Sequence, residues 1–176
     1  NRDTYTFRQL ATQEVSYETL LFTQRRELHR SLAVLLEEQT PEAVDQIAYH
    51  AYLGEDWTRS LKYHLQSGIQ DKQLFANLQS IEHLRKALTS AEHLSLEDTL
   101  LQRQQTHVAL GELLLTLGQY DEGQEHLRIA LALAEEMGNA EAQAHACRWM
   151  ARTYEVRGQY TPALEWIDRG LAILGD

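Results

Sequence analysis

The side chains in this sequence most able to do chemistry are eight histidines, one cysteine and a short run of arginines. Imidazoles four residues apart on a helix can share a metal ion, and closely spaced thiolates can do the same. Neither pattern occurs: the sequence holds no H-x₃-H, no H-E-x-x-H and no C-x-x-C. His145 and Cys147 are two residues apart, which on a helix turns them to different faces. Cys147 has no second cysteine to pair with and reads as a small core hydrophobe. There is no Gly-x-Ser-x-Gly elbow to present a serine nucleophile and no P-loop to cradle a phosphate. Carboxylates are mixed with Arg and Lys along polar stretches, the pattern of solvated helix faces. These residue types and spacings predict binding without catalysis, with no cofactor and no metal ion.

The one local concentration of positive charge is Arg25, Arg26 and Arg30, with Glu27 among them. It fits a solvated helix face bridged by Glu27, or a contact with a neighbouring module. The net charge of −10 repels phosphate backbones, which excludes nucleic acid as the expected partner. No apolar run is long enough to cross a bilayer, so no membrane partner is expected. A lone cysteine suits a reducing compartment and points to the cytoplasm. The chain opens Asn1-Arg2-Asp3 without methionine, as expected of a segment from a longer protein.

The elements that must position these groups are helices. Ala, Leu, Glu, Gln and Arg dominate, and two prolines with nine glycines are too few for a chain of many strands and turns. The pattern predicts about nine helices, near 12–38, 41–53, 57–67, 70–76, 78–93, 96–117, 121–137, 140–157 and 161–174. Only Tyr5-Thr6-Phe7 reads as extended. Thr40-Pro41 ends one helix and opens the next, Ser95 with Asp98 three residues on forms a helix-start signal, and Gly138-Asn139 and Gly158 are stops.

An internal repeat organises the second half. Gly118-Gln119-Tyr120 returns 40 residues later as Gly158-Gln159-Tyr160. In the same register Gly111 aligns with Ala151, Gly123 with Ala163, Leu127 with Ile167, and Ala130 with Gly170. Weaker copies run through Ile47-Ala48, Ala51, Trp57, Ser60, His64 and Ser67, and again through Ser80, Leu84 and Ala87. His83 and His126 fall at one repeat position, with Tyr63 and Trp166 in other copies, which predicts an aromatic-sized packing role.

Small residues where two helices cross, with large ones between, resemble the tetratricopeptide (TPR) pattern, here on a period longer than the usual 34 or so residues. The resemblance implies an all-α array of antiparallel helix pairs in a right-handed superhelix, with a concave groove lined by the first helix of each pair. Carried over residue by residue, it places Gln105, Val108, Glu112, Leu115 and Thr116 in the groove from one repeat. The next repeat contributes His145, Arg148, Arg152, Glu155 and Val156. Arg148 and Arg152, four apart, share a face and can meet a carboxylate, either a ligand's or that of Glu155. The lysine and asparagine clamp of chaperone-binding TPRs is absent.

Residues 4–38 do not follow the repeat. Phe7-Arg8, then Gln13-Glu14-Val15, Tyr17-Glu18 and Leu20, then Arg25-Arg26 and Leu28-His29 resemble the join between ATPase and TPR regions in bacterial AAA/STAND-type signalling ATPases. Such proteins are often fused to class III adenylate or guanylate cyclases. Gln9 stands where that pattern commonly has histidine. Ile47-Ala48-Tyr49-His50, Asp56-Trp57 and Leu61-Lys62-Tyr63 are similar to the start of the TPR region in the same proteins. The resemblance implies a three-part chain: the tail of an upstream domain over 1–38, degenerate repeats over 41–93 and regular repeats over 96–176. It further implies a sensor or relay module that binds a protein, a peptide or other domains of its parent. A second expectation is a homodimer through the last helix, whose Leu164, Ile167, Leu171 and Leu174 share a face. A small ligand inside the superhelix is a third.

Overall fold

The computed structural model describes residue 17 and residues 19–175, and among these the chain is all α-helical, with eight helices and no strand. They are α1 (Phe22–Gln39), α2 (Val44–Leu53), α3 (Trp57–Gln73), α4 (Asn77–Glu92), α5 (Leu96–Thr116), α6 (Tyr120–Glu136), α7 (Ala140–Glu155) and α8 (Tyr160–Leu174). The extended segment expected at Tyr5-Thr6-Phe7, and residues 12–16 and 18 of the first expected helix, lie outside the described residues.

Three sequence expectations give way. The first expected helix, 12–38, is not continuous: residues 19–21 are not helical, and α1 begins at Phe22. The helices expected at 57–67 and 70–76 are one helix, α3. Gly68 does not break it; a Cβ there would lie 2.7 Å from Leu84 Cγ, so the glycine lets α4 approach closely. Gly111 does the same for α6, with a would-be Cβ 2.7 Å from Leu127 Cγ. Pro41, expected to open the second helix, sits in the turn before it, and α2 begins at Val44.

Local chemistry sets the ends. Ser95 Oγ accepts from the Asp98 N–H at 3.2 Å and donates to the Asp98 carboxylate at 2.5 Å, so both side chains serve the start of α5. Asp56 caps α3 through the Arg59 N–H, and Asn139 caps α7 through the Ala142 N–H. Gly118, Gly138 and Gly158 follow α5, α6 and α7 with φ of 77°, 63° and 71°, the left-handed conformation in which a side chain is disfavoured.

Each helix packs on the next in sequence, most extensively in the pairs α3/α4, α5/α6 and α7/α8; α3 also touches α5, and α5 touches α7. The largest core cluster joins α3, α4 and α5 through Leu61, Leu65, Leu84, Leu110 and Leu114. Leu84 and Leu127, fully buried opposite the two glycines, each contribute about 2 kcal/mol of burial. Cys147 is fully buried beside Leu131, Ala146 and Trp166, as its repeat position predicts.

Candidate binding face

The histidines form a ladder that the sequence did not disclose. His29 of α1 meets His50 of α2, His64 of α3 meets His83 of α4, and His107 of α5 meets His126 of α6. The three Nδ1–Nδ1 distances are 2.8, 2.9 and 2.8 Å. Contacts this short require one ring to donate Nδ1–H and the other to present a bare nitrogen. In the register of the repeat, Cys147 and Trp166 take the fourth place. His50, on α2, is therefore the counterpart of His83 and His126; Tyr63 lies on α3 and packs instead with Val44, Ile47 and Ala48. Four residues past the first member of each pair stands a small side chain: Ala33, Gly68, Gly111 or Ala151. The same register thus passes through α1, where Gly54 lies against the Arg30 backbone. Tyr17 reaches His29 Nε2 at 2.9 Å and adds a third ring to the first rung.

Burial lowers the pKa of His29, His50 and His126, and pushes His64 down to about 3 and His107 to about 4. The partner imidazole adds to burial for His50, His64 and His107. No group of three or more His, Cys, Asp or Glu side chains among the described residues could hold a metal ion. The rungs tie helices together.

Of the positions expected to line a groove, the structure gathers some and separates others. Val108, Gln105 and His145 border an open cavity of about 760 Å³ between α3, α5 and α7. Glu112 lies at its edge with only a tenth of its side chain exposed. Lys72 of α3 forms an ion pair with Glu112, and His145 Nε2 of α7 lies 3.5 Å from the other carboxylate oxygen. Trp149 Nε1–H donates to that same His145 nitrogen at 3.3 Å. An indole can only donate, so His145 is neutral with its proton on Nδ1, and Lys72 is the charge that balances Glu112. Burial lowers the His145 pKa, in agreement with this assignment.

Arg148, Arg152 and Glu155 belong to a second hollow, of about 380 Å³, between α7 and α8. Arg152 pairs with Glu155 at 2.8 Å, and the Arg148 guanidinium lies 5.7 Å from the Trp149 ring centroid. Thr116 is exposed and turns its hydroxyl back onto the Glu112 carbonyl, while Val156 is exposed just past α7. Leu115 is not on the groove surface. It is buried against Leu127 and Met150, because its turn of α5 faces α6 where Gly123 leaves room for it.

Lys72, Gln104 and Phe75 are among the cavity residues that escaped the sequence. Lys72 and Phe75 lie in the stretch misread as a separate short helix. The arginine cluster also resolves differently from the expected Glu27 bridge. Arg26 pairs with Glu55 at 2.7 Å, Arg30 donates to the Glu55 carbonyl, and Arg25 lies over the Tyr17 ring. Glu55 lies 29 residues beyond Arg26, in the turn after α2, a proximity that i, i+4 logic does not reveal. A third hollow, near Glu37, is charge-compensated: hydrogen bonds from Arg59 first, then Tyr63, hold the Glu37 carboxyl down at about 2.

No helix among the described residues is long and apolar enough to cross a membrane. The chain matches no protein-family model, and no curated protein matches it.

Proposed function

We propose that this chain is a TPR-like array of four helix pairs, α1/α2, α3/α4, α5/α6 and α7/α8, wound as a right-handed superhelix. It acts by binding a protein or peptide on the face shared by α3, α5 and α7. The observation that carries this is the meeting of these three alternate helices around one open cavity. A surface built from alternate helices lengthens with every added pair, which suits an extended partner. Arg148, Arg152 and Glu155, exposed beside it, would select the partner by charge.

The wider setting belongs to the same proposal. The resemblance of residues 4–38 supports a non-catalytic sensor or relay segment of a cytoplasmic signalling ATPase or nucleotide cyclase. Its partner would be a separate protein or another domain of that parent.

The test is selection of peptides by display against the folded chain, followed by affinity measurement with substituted forms. His145→Ala, and the double change Arg148→Glu with Arg152→Glu, are expected to weaken binding by roughly tenfold or more, an order set by loss of one or two hydrogen bonds. Glu125→Ala, on the exposed side of α6, is expected to leave it unchanged. Binding that survives the first two with an intact fold removes this face from the proposal.

Self-association is a second reading, favoured by one observation on α8. Leu164, Ile167, Leu171 and Leu174 are between 44% and 59% exposed and follow each other at alternating three- and four-residue steps. That spacing is the seam of paired helices.

A further inference from the structure

The α3–α5–α7 cavity has a chemical character that its volume alone does not convey. Gln104, on α5, is 5% exposed and lines the cavity, and its side-chain amide makes no hydrogen bond with any described residue. A buried amide holds two donors and an acceptor, and such groups are normally satisfied. The mouth shows the opposite excess. Phe75 is 87% exposed and holds φ at 60°, in the turn where the α5, α6 and α7 termini use glycine. A large side chain adopts that conformation only at a cost, and strain of this kind gathers at binding sites. Ile69 and Leu101 beside it are 37% and 48% exposed. The cavity therefore combines an apolar rim with an unanswered amide at its floor.

Charge narrows the occupant. Lys72 is spent on Glu112, and no other Lys or Arg among the described residues lines the cavity, so a carboxylate or phosphate would find no free side-chain cation there. Glu141, in the first turn of α7, adds a negative rim. Apart from His145, the remaining polar side chains are amides, each able to donate and accept as a peptide group does.

Resting on the partner-binding face proposed above, we infer that this cavity takes an uncharged, extended peptide segment. One large aliphatic or aromatic side chain of that segment inserts among Phe75, Ile69, Leu101 and Val108, and its backbone amide pairs with Gln104.

The experiment is titration of the full, ¹⁵N-labelled chain with N-acetyl-leucinamide and N-acetyl-phenylalaninamide, the smallest probes carrying both features. Probes of this size reach millimolar affinity at best. Expected are saturable shifts at the Gln104 side-chain amide, Phe75 and Val108. Gln104→Met, which keeps the side-chain length and removes the amide, is expected to weaken binding roughly tenfold. Phe75→Gly, which relieves the turn and cannot harm its fold, is expected to weaken the phenylalanine probe more than the leucine one. N-acetyl-leucine with a free carboxylate is expected not to bind. Equal or tighter binding of that anion overturns the uncharged class, as does full binding by Gln104→Met. Absence of shifts at the cavity with every probe overturns the site. The broader face is judged separately, because display-selected peptides that depend on Arg148 and Arg152 would still stand.

Discussion

Each imidazole pair of the ladder shares a single proton between two nitrogens. In the α3/α4 rung His83 Nε2 points towards Asp71 and Asp45, at 3.8 and 4.0 Å, while His64 Nε2 is buried with no partner. His64 must then donate its Nδ1–H, and a further proton would create a buried, unsatisfied N–H. Lys86 on α4 disfavours that charge, and Asp45 and Glu82 favour it without offsetting burial. In the α5/α6 rung, burial and His126 disfavour the charge on His107, with Arg103 adding to them. On His126 burial again leads, Glu122 and Glu125 favour the charge, and Arg85 opposes it. Because these folded pKa values lie below the unfolded value near 6.5, the associated stability is present above that pH. It is lost as pH falls from there towards about 4 and 3. Between pH 7.5 and 5, His64 and His107 should each cost about 2 kcal/mol of unfolding free energy. Urea denaturation at the two pH values measures this. Exchanging His107→Cys together with His126→Trp, the pair nature uses in the fourth rung, is expected to remove about half of that loss; an unchanged pH dependence would refute the assignment.

At the level of the helix, contact and conformation can be separated by comparing two glycines. Gly111→Ala gains about 1 kcal/mol of helix propensity but drives a methyl into Leu127, an overpacking worth up to about 3 kcal/mol. A net loss of roughly 2 kcal/mol is expected. Gly118→Ala meets nothing within 4 Å, yet its φ of 77° makes the loss about 1 kcal/mol through the backbone alone. Denaturation midpoints distinguish them, and equal losses would mean that α5 and α6 do not approach as described. These elements also show what could be read in the sequence. The capping serine, the glycine stops and the small residues at 111, 123, 130 and 151 stood in plain register, since local backbone chemistry and helix crossing both act on single residue types. The ladder did not, although His64 and His83, like His107 and His126, are 19 residues apart. Positions equidistant from a hairpin turn face one another, and that symmetry appears only when the turn is placed correctly. Splitting α3 at Gly68 concealed it for His64 and His83, whereas His107 and His126 flank a correctly placed turn, and His126 was matched only with its counterparts in other repeats. The same slip hid Lys72 and Phe75, while Leu115 was lost to the core because groove-facing and pair-facing positions are adjacent on one helix.

For the whole molecule, the exposed face of α8 is the surface that the proposed self-association would use. Glutamates at Leu164 and Leu171 replace side chains that are 59% and 53% exposed, so the fold should be nearly unaffected, within about 0.5 kcal/mol. If copies pair through this seam, light scattering is expected to show a concentration-dependent dimer that the double substitution converts to monomer. A monomer at every concentration before substitution would rule the seam out. The histidine ladder, finally, gives the array an internal instrumentation. Each shared Nδ1 proton is expected to exchange with water faster when its own hairpin opens, so three imidazole resonances would report on three successive pairs without any label. The fourth pair is timed by alkylation of Cys147, whose thiol is fully buried and held above its usual pKa by that burial. One unmodified chain can thus report whether its repeats melt together or fray from an end.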